Sequence, residues 1–204
     1  MKMNRTTAAL RVLLVALMAA IPATGFASLR YARGVGLGAS FPVHPSQFTD
    51  VWNAGITLSG SFEVIATSRL RAGIEVGFAY HDVNEDALRD YLGVSSDARV
   101  NGNDLWIVPV TLTGTFDLLE RGNTKPFLLG GVGIYTFGAS DLTVDGTPVG
   151  AAGPDETVFG GHMGAGVRTP IGIGLELSVE AAYHIVATEG DSTQFLPIRL
   201  RLIF

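Results

Sequence analysis

The sequence predicts an all-β fold, in which eight antiparallel strands run up and down and close into a transmembrane β-barrel. Three observations lead to this prediction. Long segments alternate between apolar and polar residues, no segment after residue 27 is apolar for long enough to form a membrane-spanning helix, and every second connection is short. An even number of antiparallel strands lets the sheet close, which leaves no unpaired edge inside a bilayer.

The first 27 residues are predicted to be a cleaved signal peptide. Basic residues precede an apolar run from Val12 to Ile21, and small residues follow up to Ala27. The run is too short for a transmembrane helix, which needs about 20 residues. We therefore expect residues 28–204 to form a single outer-membrane β-barrel domain.

Eight segments have the pattern of strands. Alternation is clear in Trp52–Glu63, Leu70–Tyr80, Leu175–His184 and Gln194–Phe204. It is weaker in Leu29–Ala39, Leu105–Leu118, Pro126–Phe137 and Val158–Arg168. Their usual length suits a tilted membrane-spanning strand, which needs roughly 9 to 11 residues.

The predicted connections alternate between long and short. In barrels of this kind the short turns lie on the periplasmic side, so we expect four longer extracellular loops, three short periplasmic turns and both chain termini in the periplasm. The second long loop contains Asn84, early acidic residues and Gly93, in the order of a capped helix. We therefore predict one short helix in that loop.

The charged face of the strands is predicted to line the lumen. A basic residue that faces lipid at the bilayer midplane costs about 2 to 4 kcal/mol, so the opposite orientation would exceed the stability of a typical protein. An eight-stranded barrel has an interior just wide enough for side chains, so we expect interlocking ion pairs that largely plug it. The predicted lumen-facing charged network comprises Glu63, Arg71, Glu75, Glu176, Glu180, Arg199 and Arg201.

Aromatic residues concentrate near the ends of the predicted strands, which predicts two interfacial girdles. The girdle at the loop ends would contain Trp52, Tyr80, Trp106, Tyr135, Phe137, Phe159, Tyr183 and Phe195. The girdle at the turn ends would contain Phe62, Phe116, Phe127 and Phe204.

Three marks carry a family resemblance: the segment Lys125-Pro-Phe-Leu-Leu-Gly-Gly-Val-Gly133, the segment Ile107-Val-Pro-Val-Thr-Leu112 and the terminal Phe204. With them the chain resembles the small eight-stranded outer-membrane barrels of the OmpA, OmpX and OmpW type, also called porin-like or opacity-type proteins. The resemblance implies the outer membrane of a Gram-negative (diderm) bacterium, contact with the lipid bilayer and lipopolysaccharide, and recognition of Phe204 by the barrel-assembly machinery.

Three functions remain open. The leading one is a structural or surface-interaction barrel with a largely plugged lumen, and the second is a narrow porin-like channel for small solutes, hydrophobic ones included. The third is an enzyme that modifies outer-leaflet lipids, for which His44 and Ser46 are the nearest His and Ser pair. Because no orienting acid is recognisable beside that pair, we expect no enzymatic activity and assign no catalytic residue.

Composition excludes several other classes. The chain has no Cys, and His44, His81, His162 and His184 lack the spacing of a metal site, so we expect no metal and no cofactor. Without the signal peptide, 11 basic residues stand against 19 acidic ones, which argues against nucleic-acid binding. We expect a monomer whose extracellular partner is unknown. The structural alternative is a secreted soluble barrel of the lipocalin kind, which would enclose its apolar face.

Overall fold

Eight long antiparallel strands form a closed β-barrel, as the sequence predicts. The computed structural model describes residues 30–95, 97–150, 156–188 and 190–204, so the predicted signal peptide lies outside the described residues. The strands are β1 (Arg30–His44), β2 (Gly55–Ile65), β3 (Leu70–His81), β4 (Val100–Asn101), β5 (Leu105–Asp117), β6 (Lys125–Ala139), β7 (Leu142–Val144), β8 (Thr147–Gly150), β9 (Glu156–Gly172), β10 (Leu175–Thr188) and β11 (Asp191–Ile203). Around the barrel the order is β1, β11, β10, β9, β6, β5, β3 and β2, and β2 pairs with β1.

The first and last strands close the ring. Val35 pairs with Leu202, and the ladder continues to the chain end, where the Arg33 N–H donates to the Phe204 carbonyl at 2.7 Å and the Phe204 N–H donates to the Arg33 carbonyl at 2.8 Å. Within the described residues, no helix is long and apolar enough to cross a membrane.

The two faces of the barrel differ in polarity because successive side chains of a strand point to opposite sides. Large apolar side chains such as Ile74, Leu112 and Val179 are exposed on the outer face. Their neighbours Glu75, Thr111 and Glu180 are buried on the inner face. A sheet that is apolar outside and charged inside is the arrangement of a membrane barrel, and it is the reverse of a soluble lipocalin-type barrel.

Several strands are longer at one end of the barrel than the alternation predicts. We call that end the loop end, and the end that holds the chain terminus Phe204 the turn end. The predicted nine-residue loop before β11 is a two-residue connection, because β10 and β11 continue to pair as far as Thr188 and Asp191. The Thr188 hydroxyl donates to the Asp191 carbonyl at 2.8 Å, and Gly190 has φ of 82°. Three longer connections therefore remain at the loop end.

The first long connection holds a helix that the sequence pattern did not reveal. This helix, α1 (Ser46–Val51), is followed by Trp52, which was predicted to begin the second strand. Trp52 instead ends α1: its ring packs on Phe48, and its indole N–H donates to the Asn103 carbonyl at 2.8 Å. The apparent alternation at Trp52 reflects packing at the loop end, and β2 begins only at Gly55.

The second long connection contains the predicted helix, α2 (Glu85–Leu92). The Asn84 side chain accepts a hydrogen bond from the Ala87 N–H, and Gly93 has φ of 64°, so both predicted caps are present. A small sheet of β4, β7 and β8, which was not predicted, links this connection to the third. We call α1, α2 and this small sheet the loop platform. Its apolar core is built around Val51, Leu88 and Val100.

Candidate functional site

The inner face of β11 carries the two central arginines of the lumen. Phe195, Pro197, Arg199, Arg201 and Ile203 alternate with outward-facing residues, so all five point inward and are buried. Phe195 lies on the loop-end side of the two arginines and Ile203 on the turn-end side, so buried apolar side chains flank the charged groups on the same face. The strand thus places two guanidinium groups one above the other near the centre of the barrel.

Carboxylates from three other strands bind these two groups. Arg199 pairs with Glu75 of β3 at 2.6 Å and with Glu180 of β10 at 2.7 Å. Arg201 pairs with Glu180 at 3.1 Å and with Glu63 of β2 at 3.1 Å. In the ring, β3 lies three positions from β11, so the pair between Arg199 and Glu75 crosses the lumen. All five charged side chains are almost fully buried.

The two remaining residues of the predicted network pair nearer the turn end. Arg71 of β3 and the half-buried Glu176 of β10 lie 2.8 Å apart, and their strands stand on opposite sides of the ring. The structure therefore brings all seven predicted residues into the lumen, as a cluster of five near the centre and a separate pair nearer the turn end.

A further buried pair was missed in the sequence. Arg168 of β9 and Asp117 of β5 lie 2.7 Å apart, and Arg168 also stacks over the Phe127 ring at 4.3 Å. Both charged side chains are almost fully buried. Arg168 lies an even number of residues from the inward-facing His162, and Asp117 lies an even number from the inward-facing Thr111. This two-residue period was the signal in the sequence that both charges face the lumen.

Glycine residues on β1 make room for the arginines. Gly34 and Gly36 face the lumen, and a Cβ atom added at Gly36 would lie 2.8 Å from Cγ of Arg201. A Cβ added at Gly34 would lie 3.1 Å from Nη2 of the same arginine. The glycine-rich segment of β1 is therefore the wall against which Arg201 packs.

Aromatic and histidine rings fill the lumen above the ion pairs. His184 stacks between His162 and Phe195, with ring centroids 4.8 and 4.6 Å away, and its Nδ1 lies 3.0 Å from the Tyr135 hydroxyl oxygen. Within the part of the chain that the structure describes, no group of three or more His, Asp and Glu residues could hold a metal ion. These rings act as packing and as hydrogen-bonding groups.

The predicted aromatic girdles need a correction at five positions. Trp52 lies at the end of α1 and packs on Phe48, so it belongs to the first long connection. Tyr135, Phe137 and Phe195 at the loop end and Phe127 at the turn end are buried inside the barrel. They lie on the inward-facing register of their strands, and a narrow lumen without wide water-filled space must be filled by large side chains. Other members of the predicted girdles are on the outer face, as shown by the exposed rings of Phe159, Phe116 and Phe204.

An apolar layer closes the lumen at the loop end. Phe48 of α1 is buried over the barrel mouth and packs with Ile107, Tyr135 and Phe195, among other residues. The edge of the Phe48 ring also contacts His81, at 5.8 Å between ring centroids. Helix α1 and this layer therefore cover the lumen at the loop end.

The His and Ser pair of the enzymatic hypothesis lies outside the lumen. His44 Nε2 is 3.0 Å from Asp191 Oδ2, and both side chains are about half exposed. Asp191 is the acid that the sequence did not reveal, because β1 and β11 are distant in the chain. Of the hydrogen bonds between described residues, none joins His44 to Ser46.

Comparisons with solved structures show the same fold. Neisserial surface protein A (NspA) superposes with a TM-score of 0.59 at 12% sequence identity, over 85% of this chain and 94% of that chain. A major outer membrane protein from Thermus thermophilus gives 0.50 at 11% identity, over 86% and 99%. The outer membrane protein OprG from Pseudomonas aeruginosa gives 0.50 at 10% identity, over 85% and 95%.

A search of curated protein sequences gives no match. The family model described as "Outer membrane protein beta-barrel domain" matches residues 10–204, which is nearly the whole chain. The solved structures agree with this match in strand number and closure. The chain therefore belongs to the outer membrane protein beta-barrel domain family.

Proposed function

We propose that this protein is a non-conducting barrel that anchors the loop platform at the cell surface, where the platform makes structural or recognition contacts. The observation that carries the proposal is the position of Arg199, which Glu75 and Glu180 hold from two other walls of the barrel at 2.6 and 2.7 Å. Side chains that bridge a lumen in this way leave little continuous water, and the apolar layer around Phe48 adds a second closure.

The direction of insertion follows from the lengths of the connections. The turn end has connections of four, seven and two residues, at 66–69, 118–124 and 173–174, whereas the loop end carries the platform. Short connections lie on the periplasmic side of such barrels, so we assign the turn end and both termini to the periplasm. Family membership supports a location in the outer membrane of a Gram-negative bacterium, in contact with the bilayer and lipopolysaccharide.

Other predictions from the sequence also stay part of the proposal. Phe204 directly follows β11 and is 53% exposed, so the barrel-assembly machinery can reach it during insertion. We keep the expectations of a monomer, of no nucleic-acid partner, and of a protein without catalytic residues or cofactor. Residues 28–204 remain the predicted mature domain, after cleavage of the signal peptide.

Conductance in planar bilayers tests the proposal. The purified full barrel is expected to give no current steps, although a shift of gel mobility on boiling shows that it is folded. An Arg199→Ala and Phe48→Ala double variant removes one side chain from the ion pairs and one from the apolar layer, and it is expected to conduct. Regular current steps from the unmodified barrel would overturn the proposal in favour of a porin-like channel.

The assigned orientation has its own test. Because the chain has no Cys, single cysteines can be introduced at Val149 of the platform and at Asn123 of a short turn, both of which are exposed. A membrane-impermeant maleimide added to intact cells is expected to label position 149 and to spare position 123 until the cells are broken. The opposite pattern would reverse the orientation.

A further inference from the structure

A cleft of about 370 Å³ opens at the loop end, between the platform and the barrel rim. This volume lies in the range of small-molecule sites, which is roughly 300 to 1,000 Å³. Nothing in the ion-pair plug or in the surface role requires the cleft. Its described lining is Pro45, Gln47, Phe48, Val51, Trp52, Leu88, Tyr91, Asn103, Leu105, Phe137, Glu156, Thr188 and Thr193.

The floor of the cleft is apolar and fixed in place. Phe48, Leu88, Leu105 and Phe137 are buried there, and α1 is held to the neighbouring connection by the hydrogen bond from the Asn84 N–H to the Val51 carbonyl at 2.7 Å. The indole N–H of Trp52 is occupied by the Asn103 carbonyl. The buried side chains of the floor therefore offer apolar and aromatic surface to a ligand, and the amides of Gln47 and Asn103 are the polar groups nearest to it in the lining.

The rim of the cleft favours a positive charge. Glu156 supplies a carboxylate and Thr188 and Thr193 supply hydroxyls, while the described lining contains no Lys, Arg or His. Glu156 forms no ion pair with a basic side chain in the described parts of the chain. The Tyr91 ring also lines the cleft and is 71% exposed, and an aromatic face attracts a cation without dehydrating it fully. An anionic ligand would meet a carboxylate and no counter-charge.

We propose that this cleft binds a single-chain cationic amphiphile with a quaternary ammonium head. The alkyl chain lies on the floor formed by Phe48, Trp52 and Phe137, and the ammonium group lies between the Glu156 carboxylate and the Tyr91 ring. The proposal goes beyond the surface role and does not depend on whether the lumen conducts.

The two tryptophans of the chain provide a direct test. Trp52 lines the cleft, whereas Trp106 lies on the outward-facing register of β5 and reports partitioning into lipid. Variants with one tryptophan each, Trp106→Phe and Trp52→Phe, are placed in phosphatidylcholine nanodiscs and titrated with (10-bromodecyl)trimethylammonium, whose bromine quenches indole fluorescence. Quenching of Trp52 is expected to saturate while that of Trp106 rises in proportion to the probe. Proportional quenching of both would overturn the proposal.

Charge specificity is tested with the anionic probe 10-bromodecanoate and with two variants. In the Trp106→Phe background, Glu156→Gln is expected to weaken binding of the cationic probe about tenfold, which corresponds to 1.4 kcal/mol. Tyr91→Ala, at an exposed position, is expected to weaken it as well. The matched control is Glu85→Gln, an acidic position of α2 outside the cleft lining, which is expected to leave binding unchanged. Equal affinity for the anionic probe, or equal effects of Glu156→Gln and Glu85→Gln, would refute the proposal.

Discussion

The aliphatic part of Arg201 lies against Gly36, where an added Cβ atom would be 2.8 Å from Cγ of the arginine and 2.6 Å from the Ser59 hydroxyl oxygen. Gly36→Ala is therefore expected to destabilise the barrel by about 1 to 3 kcal/mol, the usual cost of overpacking a filled interior. The measurement is the urea midpoint of the folded band in unboiled gels. Gly60→Ala is the control, because a Cβ at Gly60 has no heavy atom within 4 Å. Equal midpoints for the two variants would contradict the prediction.

Glu180 forms ion pairs with both central arginines, so its loss leaves two buried cations with fewer partners. Glu180→Gln is expected to cost about 3 to 5 kcal/mol, as is typical when one partner of a buried ion pair is removed. The same urea titration measures the effect. Glu85→Gln breaks an exposed pair with Arg89 and is expected to cost about 1 kcal/mol or less. The prediction fails if the two substitutions have similar effects.

The isolated buried pair of Arg168 and Asp117 permits a double-mutant cycle. Arg168→Met leaves the Asp117 carboxylate buried, and Asp117→Leu leaves the guanidinium buried, so each single variant is expected to be strongly destabilised. The double variant replaces both charges with apolar groups and is expected to recover most of the lost stability. Additive losses in the unfolding midpoints would show that the two side chains are not coupled.

The orientation of the faces predicts where spin labels meet lipid. Labels on cysteines at Ile74 and Val179, both exposed on the outer face, are expected to collide with oxygen, which concentrates in the bilayer. A label at Val149 of the platform is expected to collide with a water-soluble nickel complex instead. Water exposure at Ile74 and Val179 would remove the basis for a membrane barrel.

The terminal ring of Phe204 is expected to matter for assembly more than for stability. Phe204→Ala should lower the fraction of chains that reach the folded, heat-modifiable form in cells, while the unfolding midpoint of the purified barrel changes little. Phe116→Ala, with a similarly exposed ring on the outer face at the same end, is the control and is expected to assemble normally. If both variants assemble equally well, Phe204 is not the signal.

The sequence predicted the barrel and its charged lumen because both follow from a two-residue period. Glu75, Glu180 and Arg199 alternate with apolar neighbours, and the cost of placing charges in lipid then fixes the direction of each face. The helix α2 was predictable because its caps, Asn84 and Gly93, are local in the chain.

Other features depend on contacts between residues far apart in the chain. The pairs Arg168–Asp117 and His44–Asp191 join strands whose register the sequence alone does not give. Tyr135 and Phe195 lie near strand ends, which is the position of a girdle, but their side chains point into the lumen. The direction of a side chain depends on the exact register of its strand. Helix α1 and the small sheet are held by tertiary packing around Val51 and Val100, which local periodicity does not encode.

The small sheet has a consequence for any molecule that recognises this surface. Val100 pairs with Val144, so antiparallel strand pairing joins the second and third long connections. An antibody against this surface is thus expected to recognise a composite epitope. Shortening either connection is expected to remove the epitope, and a free peptide of either connection alone is not expected to bind the antibody.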